Sequence, residues 1–171
     1  MNCLLYTSPS PRDRTRAGVR YDIITGYLSE DYVWKEIGSW VDAARVMYGM
    51  RMNRLGILGH YYCGMLDVYT DVMQQSAVFG THVELLEMCE LKAHREKVTD
   101  EELKSKLDEF HDKFNVEISC EPEELVRAAR TSVALDRLVE IHQLGAMAYY
   151  YEGFRGNDYE NIVTSVIAGN T

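Results

Sequence analysis

The sequence predicts an α/β fold: a three-layer, Rossmann-like domain with a parallel sheet of about four strands flanked by helices. Three observations carry this expectation. Short apolar runs of strand length alternate with longer stretches in which apolar residues recur every three to four positions. The connections between successive strand candidates are too long for hairpins, so each should cross over and return parallel, covering both sheet faces. With 46% hydrophobic and 26% charged residues, a chain of 171 residues can bury one sizeable core.

Residues 1–20 stand outside this pattern. They carry Ser8-Pro9-Ser10-Pro11, four arginines against one aspartate, and no hydrophobic period. The string from Cys3 to Arg16 resembles translated sequencing-adaptor sequence and is set aside as a disordered leader. From Ser29 the pattern turns helical: Ser29 can cap, Glu30 and Asp31 suit the positive helix end, and Val33, Ile37, Val41 and Ala44 share a face up to a stop at Gly49. Arg54 to Gly59 reads as a buried strand. Met65 to Phe79 reads as a helix with Tyr69, Val72 and Ala77 near one face, ending at Gly80. His82 to Met88 is a second strand.

Thr99 and Glu102 form a capping box, after which Leu103, Leu107, Phe110 and Phe114 mark a helix face. Val116 to Ile118 is at most a short strand. Pro122 opens another helix, with Glu123 and Glu124 in its first turn, core positions Leu125, Ala128, Leu135 and Val139, and a close at Gly145. Ala146 to Tyr151 is the last strand candidate, and Tyr159 to Ala168 a final apolar segment. No internal repeat interrupts the series.

Charge and cysteines bound the function. The net charge is −9, and between Thr81 and Leu125 fourteen acidic side chains face six basic ones. Such a surface repels phosphate backbones and anionic lipid heads, which disfavours nucleic-acid and membrane roles. No stretch approaches a bilayer span, and a cytoplasmic location is expected. Cys3, Cys63, Cys89 and Cys120 are scattered without a C-x-x-C pair, the pattern of reduced, partly buried thiols.

In open α/β sheets ligands collect at the carboxyl ends of strands. The residues falling there are Gly59-His60-Tyr61-Tyr62-Cys63-Gly64, followed by Met65, and Glu152-Gly153-Phe154-Arg155. A histidine and two tyrosines between glycines offer ring faces and hydroxyls to a small polar ligand. The turn is not G-x-G-x-x-G, and tyrosines stand where a pyrophosphate needs small residues, so dinucleotide binding fits poorly. His60 with Cys63 lacks the third partner of a metal site or an activated nucleophile. Asp67 and Asp71 are spaced to share a helix face, and His82, His94, His111 and His142 stand apart from one another. His142 falls in a helix's last turn, a structural position.

The run Asn53 to Asp71, with Gly59-His60-Tyr61-Tyr62-Cys63-Gly64-Met65-Leu66-Asp67-Val68-Tyr69-Thr70-Asp71 at its heart, resembles the G-H-Y-Y-x-G-M-L-D-x-Y-[ST]-D stretch of a branch of L-arabinose isomerases. Ile24 to Tyr27 and Ile37 to Trp40 upstream, and Phe79 to Glu84 and Ala128 to Arg130 downstream, are similar in order. The resemblance covers roughly residues 20 to 171. It implies a linker and entry helix over 21–50, leading from a missing N-terminal domain, and over 51–171 a central α/β domain truncated at its C-terminus. It further implies an aldose–ketose isomerase interconverting L-arabinose and L-ribulose through an enediol, with a divalent metal, usually manganese, and a homo-oligomer in the full-length enzyme. In that family two glutamates and two histidines hold the metal; they are expected past Thr171, and no catalytic or metal residue carries over here. His60, Tyr61, Tyr62, Met65 and Glu152 are the substrate-binding candidates, Tyr62 standing where some relatives place a methionine. Two other readings compete: a sugar-binding or regulatory α/β module without catalysis, and a scaffold whose apolar patches meet other subunits.

Overall fold

A computed structural model describes residues 18, 21–61, 65, 69–150, 155–157 and 159–170. The described elements run α1 (Asp31–Met52), β1 (Arg54–Leu58), α2 (Val72–Phe79), β2 (His82–Leu86), α3 (Met88–Glu96), α4 (Asp100–Lys113), α5 (Pro122–His142), β3 (Ala146–Tyr149) and α6 (Glu160–Gly169). The chain divides into two compact units, residues 1–46 and 47–171.

In the first unit the chain turns into α1 through side-chain contacts. Tyr32 donates its hydroxyl to the Thr25 carbonyl at 2.8 Å, Trp34 donates its indole N–H to Leu28, and the Glu30 carboxylate accepts the Tyr27 amide. Of the expected α1 stripe only Val33 is buried. Gly49 does not stop the helix. An exposed glycine costs about 1 kcal/mol against alanine but breaks no hydrogen bond, and the helix runs on to Met52.

The second unit holds a three-stranded parallel sheet in the order β2-β1-β3. The sheet is therefore one strand smaller than expected: Val116 to Ile118 lies in the turn between α4 and α5, with Ile118 fully exposed. With no neighbouring strand to accept its backbone, that triplet's β-propensity has nothing to pair with.

The register puts Arg54, Gly56, Leu58, His82, Glu84, Leu86, Met147 and Tyr149 on one face. Leu58 and Leu86 on this face pack with Leu91 of α3, Ala134, Leu135 and Leu138 of α5, and Ile162 and Val166 of α6. Each fully buried leucine here is worth about 1.5–3 kcal/mol of transfer free energy. A second cluster joins Phe110 of α4 to Ala128 and Ala129, so α5 is buried on two sides. The opposite face carries Leu55, Ile57 and Val83, which are half-buried, and Ala146, Ala148 and Leu85, which are exposed, Leu85 by 74%. Helices flank the parallel sheet, as the crossovers predicted.

Local signals explain the ends. Thr99 and Glu102 make both halves of the capping box, and Pro122 sits in the first turn of α5. Gly80 closes α2 in the left-handed region (φ +76°). Gln143 takes that role for α5 (φ +52°), two residues before the expected Gly145. β2 ends at Leu86 because Met88 already begins α3. Among the described residues no helix is long and apolar enough to cross a membrane. Cys89 and Cys120 are free and exposed, against the expected partial burial, because they sit on the outer side of α3 and in the α4–α5 turn.

Candidate functional site

A chain that starts in the central strand, goes to one side and then returns to the other leaves a gap at the carboxyl ends where its direction reverses. Here that switch point lies between β1 and β3. The backbone ties the strand exits together: Gly59 donates to the Leu86 carbonyl and Tyr150 to the Leu58 carbonyl, both at 3.0 Å. Gly59 turns the chain out of β1 with φ +88°, and a Cβ there would stand 3.1 Å from the Tyr150 Cβ. Glycine serves on both counts.

This turn delivers His60 against β3. Its ring lies 4.2 Å from the Tyr150 ring, tilted by 32°. His60 Nδ1 is 2.7 Å from the Tyr61 carbonyl. A carbonyl only accepts, so Nδ1 carries the proton and Nε2 of the neutral ring is left as an acceptor. Tyr61 is half-buried, packs edge-on to Tyr69 at 5.8 Å, and donates to the Thr70 carbonyl at 3.4 Å. Met65 is 45% exposed. Tyr62 and Glu152 lie outside the described residues. Thus His60, Tyr61 and Tyr150 form an aromatic edge at the switch point.

The expected Asp67–Asp71 helix pair does not form as such. Asp71 is the N-cap of α2, accepting the Gln74 amide at 3.0 Å, so it precedes the helix and does not ride on its face; Asp67 lies outside the described residues.

A polar cluster that the spacing kept apart forms at the other end of the strands. Glu84 accepts from Arg54 at 2.6 Å and pairs with His82 at 3.0 Å, and His142 lies 3.7 Å away. His142 also reaches Glu90 at 2.7 Å, with His94 3.9 Å from the same carboxylate. The hydrogen bond from His82, opposed by partial burial and reinforced by Arg54 and His142, holds the Glu84 carboxyl below its usual range. Arg54 also donates to the His142 carbonyl at 2.8 Å, stapling the end of α5 to β1. Only the Glu90–His94 i,i+4 spacing and the His82–Glu84 strand alternation hinted at this cluster; His142 arrives across 52 residues. Its position at the amino ends, with Glu84 engaged by Arg54 and His82, makes it a staple and not a site.

Among the described residues no group of three His, Cys, Asp or Glu side chains is arranged to hold a metal ion. The Glu84–Glu90 cluster does not supply one, because Arg54 competes for the oxygens a cation would need. A cavity of about 210 Å³ between α4, α5 and the end of α6 is lined by Phe110, Phe114 and Val139 and by charges that pair with each other. Lys106 bridges Glu109 and Asp136 at 2.9 and 3.0 Å, and Lys113 holds Glu109 at 2.6 Å. These two lysines bring the Glu109 carboxyl down to about 2.

The chain matches no protein-family model and no curated protein.

Proposed function

We propose that residues 51–171 are the central α/β domain of a metal-dependent aldose–ketose isomerase of the L-arabinose isomerase type. In this reading the turn after β1 forms one wall of the pocket for L-arabinose and L-ribulose. Support comes from the Gly59–Asp71 run and from the position of its start at the switch point of a β2-β1-β3 sheet, with His60 stacked on Tyr150.

The chemistry of the edge fits one wall of a sugar site. Aromatic faces pack against sugar C–H groups, and His60 Nε2 accepts a hydroxyl. Moving a proton between adjacent carbons needs more: a base near neutral pH and a Lewis acid for the enediolate. The described residues bring no such set together. In the proposed division of labour this chain binds and orients the sugar, and the glutamates and histidines that the resemblance implies hold the manganese-type ion.

Titrating the 15N-labelled chain with L-arabinose tests the wall. The amides of His60, Tyr61 and Tyr150 should shift saturably, and His60→Ala should weaken the effect about tenfold, the loss of one hydrogen bond with its packing. No shift up to the solubility limit of the sugar, or shifts confined to another surface, would count against the site. With Mn2+ added, the same protein should form no L-ribulose; detectable product would overturn the division of labour proposed here.

A further inference from the structure

Where α3 meets α5 and α6, three arginines gather in a chain whose net charge is −9. Arg127, Arg130 and Thr131 share one face of α5 by their i, i+3, i+4 spacing, and Arg95 comes from the last turn of α3. One end of the Arg95 guanidinium is fixed by neutral oxygens: it donates to Thr131 Oγ1 and, at 2.9 Å, to Ser165 Oγ. Both hydroxyls are buried, sit 2.6 Å from each other, and have the carbonyls of Arg127 and Ile162 within hydrogen-bond reach. Arg130 has a single long bond, 3.3 Å to the Val98 carbonyl. Arg127 reaches Glu124 and Asn161, but its Nε is buried without a partner.

Elsewhere in this unit a half-buried arginine takes a carboxylate, as Arg54 takes Glu84 and Arg137 takes Glu102. Here Arg127 takes Glu124, but among the described residues Arg95 and Arg130 are bonded only to neutral oxygens. Burial first, and then the charges of Arg130 and Arg127, lower the Arg95 pKa to about 10. An anion relieves that repulsion. N–H groups of Arg95 and Arg130 left over from these bonds, on two neighbouring helices, suit a tetrahedral oxyanion better than a planar carboxylate, which one fork already satisfies.

We infer that Arg95, Arg127 and Arg130 form a binding site for a phosphate-type oxyanion, either free inorganic phosphate or the phosphate of a small monoester. The site is independent of the sugar reading above, since it lies on the helices and not at the switch point.

The test is calorimetric titration of the whole chain with inorganic phosphate and, separately, with glycerol phosphate, against chloride at matched ionic strength. Saturable binding of either phosphate beyond the chloride response is expected, and the tighter of the two names the source. Arg130→Gln should weaken it about tenfold, and Arg130→Lys, keeping charge but losing the fork, by less. Arg130 makes one long bond, so these variants should keep the wild-type far-UV spectrum; Arg95→Gln, which also loses the hydroxyl contacts, is the harsher second test. No response beyond chloride, or equal phosphate affinity in wild type and folded Arg130→Gln, would overturn the site.

Discussion

Gly59→Ala probes the hinge on which the candidate site turns. Its backbone sits at φ +88°, where a side chain costs about 1–2 kcal/mol, less roughly 0.5 kcal/mol from the stiffer unfolded chain. The new methyl would also stand 3.1 Å from Tyr150 Cβ and 3.4 Å from Met88 Cε. Tyr150 cannot easily yield, because its amide bonds Leu58 at 3.0 Å and its ring stacks on His60. That crowding adds about 1 kcal/mol, the low end of overpacking costs. The total is about 2 kcal/mol, or roughly 6–10 °C in melting temperature for a unit of this size. Gly156→Ala is the control. It has a similar φ, +79°, but open space around the added atom, so only the conformational cost of about 1 kcal/mol applies. Thermal and urea unfolding followed by circular dichroism measure both. If Gly59→Ala costs no more than Gly156→Ala, the tight approach of β1 and β3 is not what holds the turn.

Three further outcomes follow from the same physics. Leu138→Ala removes a fully buried side chain from the main core and should cost about 3 kcal/mol in urea unfolding, against under 1 kcal/mol for the same change at exposed Leu85. Thr99→Ala removes the hydroxyl that accepts the Glu102 amide, leaves the residue-99 amide free to donate to the Glu102 carboxylate, and should destabilise by about 1 kcal/mol, with Thr99→Ser recovering most of it. Because the Glu84 carboxyl is held low in the fold, its contribution to stability is complete above the ordinary carboxylate pKa and is lost as pH falls through the folded value. Glu84→Gln should therefore be less stable than wild type at pH 7, and the gap should close in acid; a gap independent of pH would show that charge is not the cause.

Residues with local causes were legible in the sequence. Thr99 and Glu102 cap each other within one turn, Pro122 suits a first turn, and Gly80 needs the left-handed region, so each announces itself without knowledge of the fold. Arg54 to Leu58 and the turn at Gly59 were readable for the same reason. What depended on partners was not. Val116 to Ile118 has strand-forming residues but no neighbour, and Gly49 looked like a stop although an exposed helix tolerates it. His82, His94 and His142 seemed unrelated because only the packing of α5 on the sheet brings the last to the others. The arginine cluster was hidden likewise: Arg127 and Arg130 are a visible pair on one helix, while Arg95 joins them from another.

The central place of β1 also bears on the order of assembly. Contacts such as Arg54–Glu84 close a loop of 30 residues, whereas Arg54–His142 closes one of 88 and waits for α4 and α5. The pairing of β3 with β1 should then come late in folding and be the first to open under partial destabilisation, so that the Tyr150 amide exchanges with solvent sooner than those within β2. A groove bounded by β3 would thus be the last feature to mature and the first to be lost, leaving the rest of the unit intact while recognition fails.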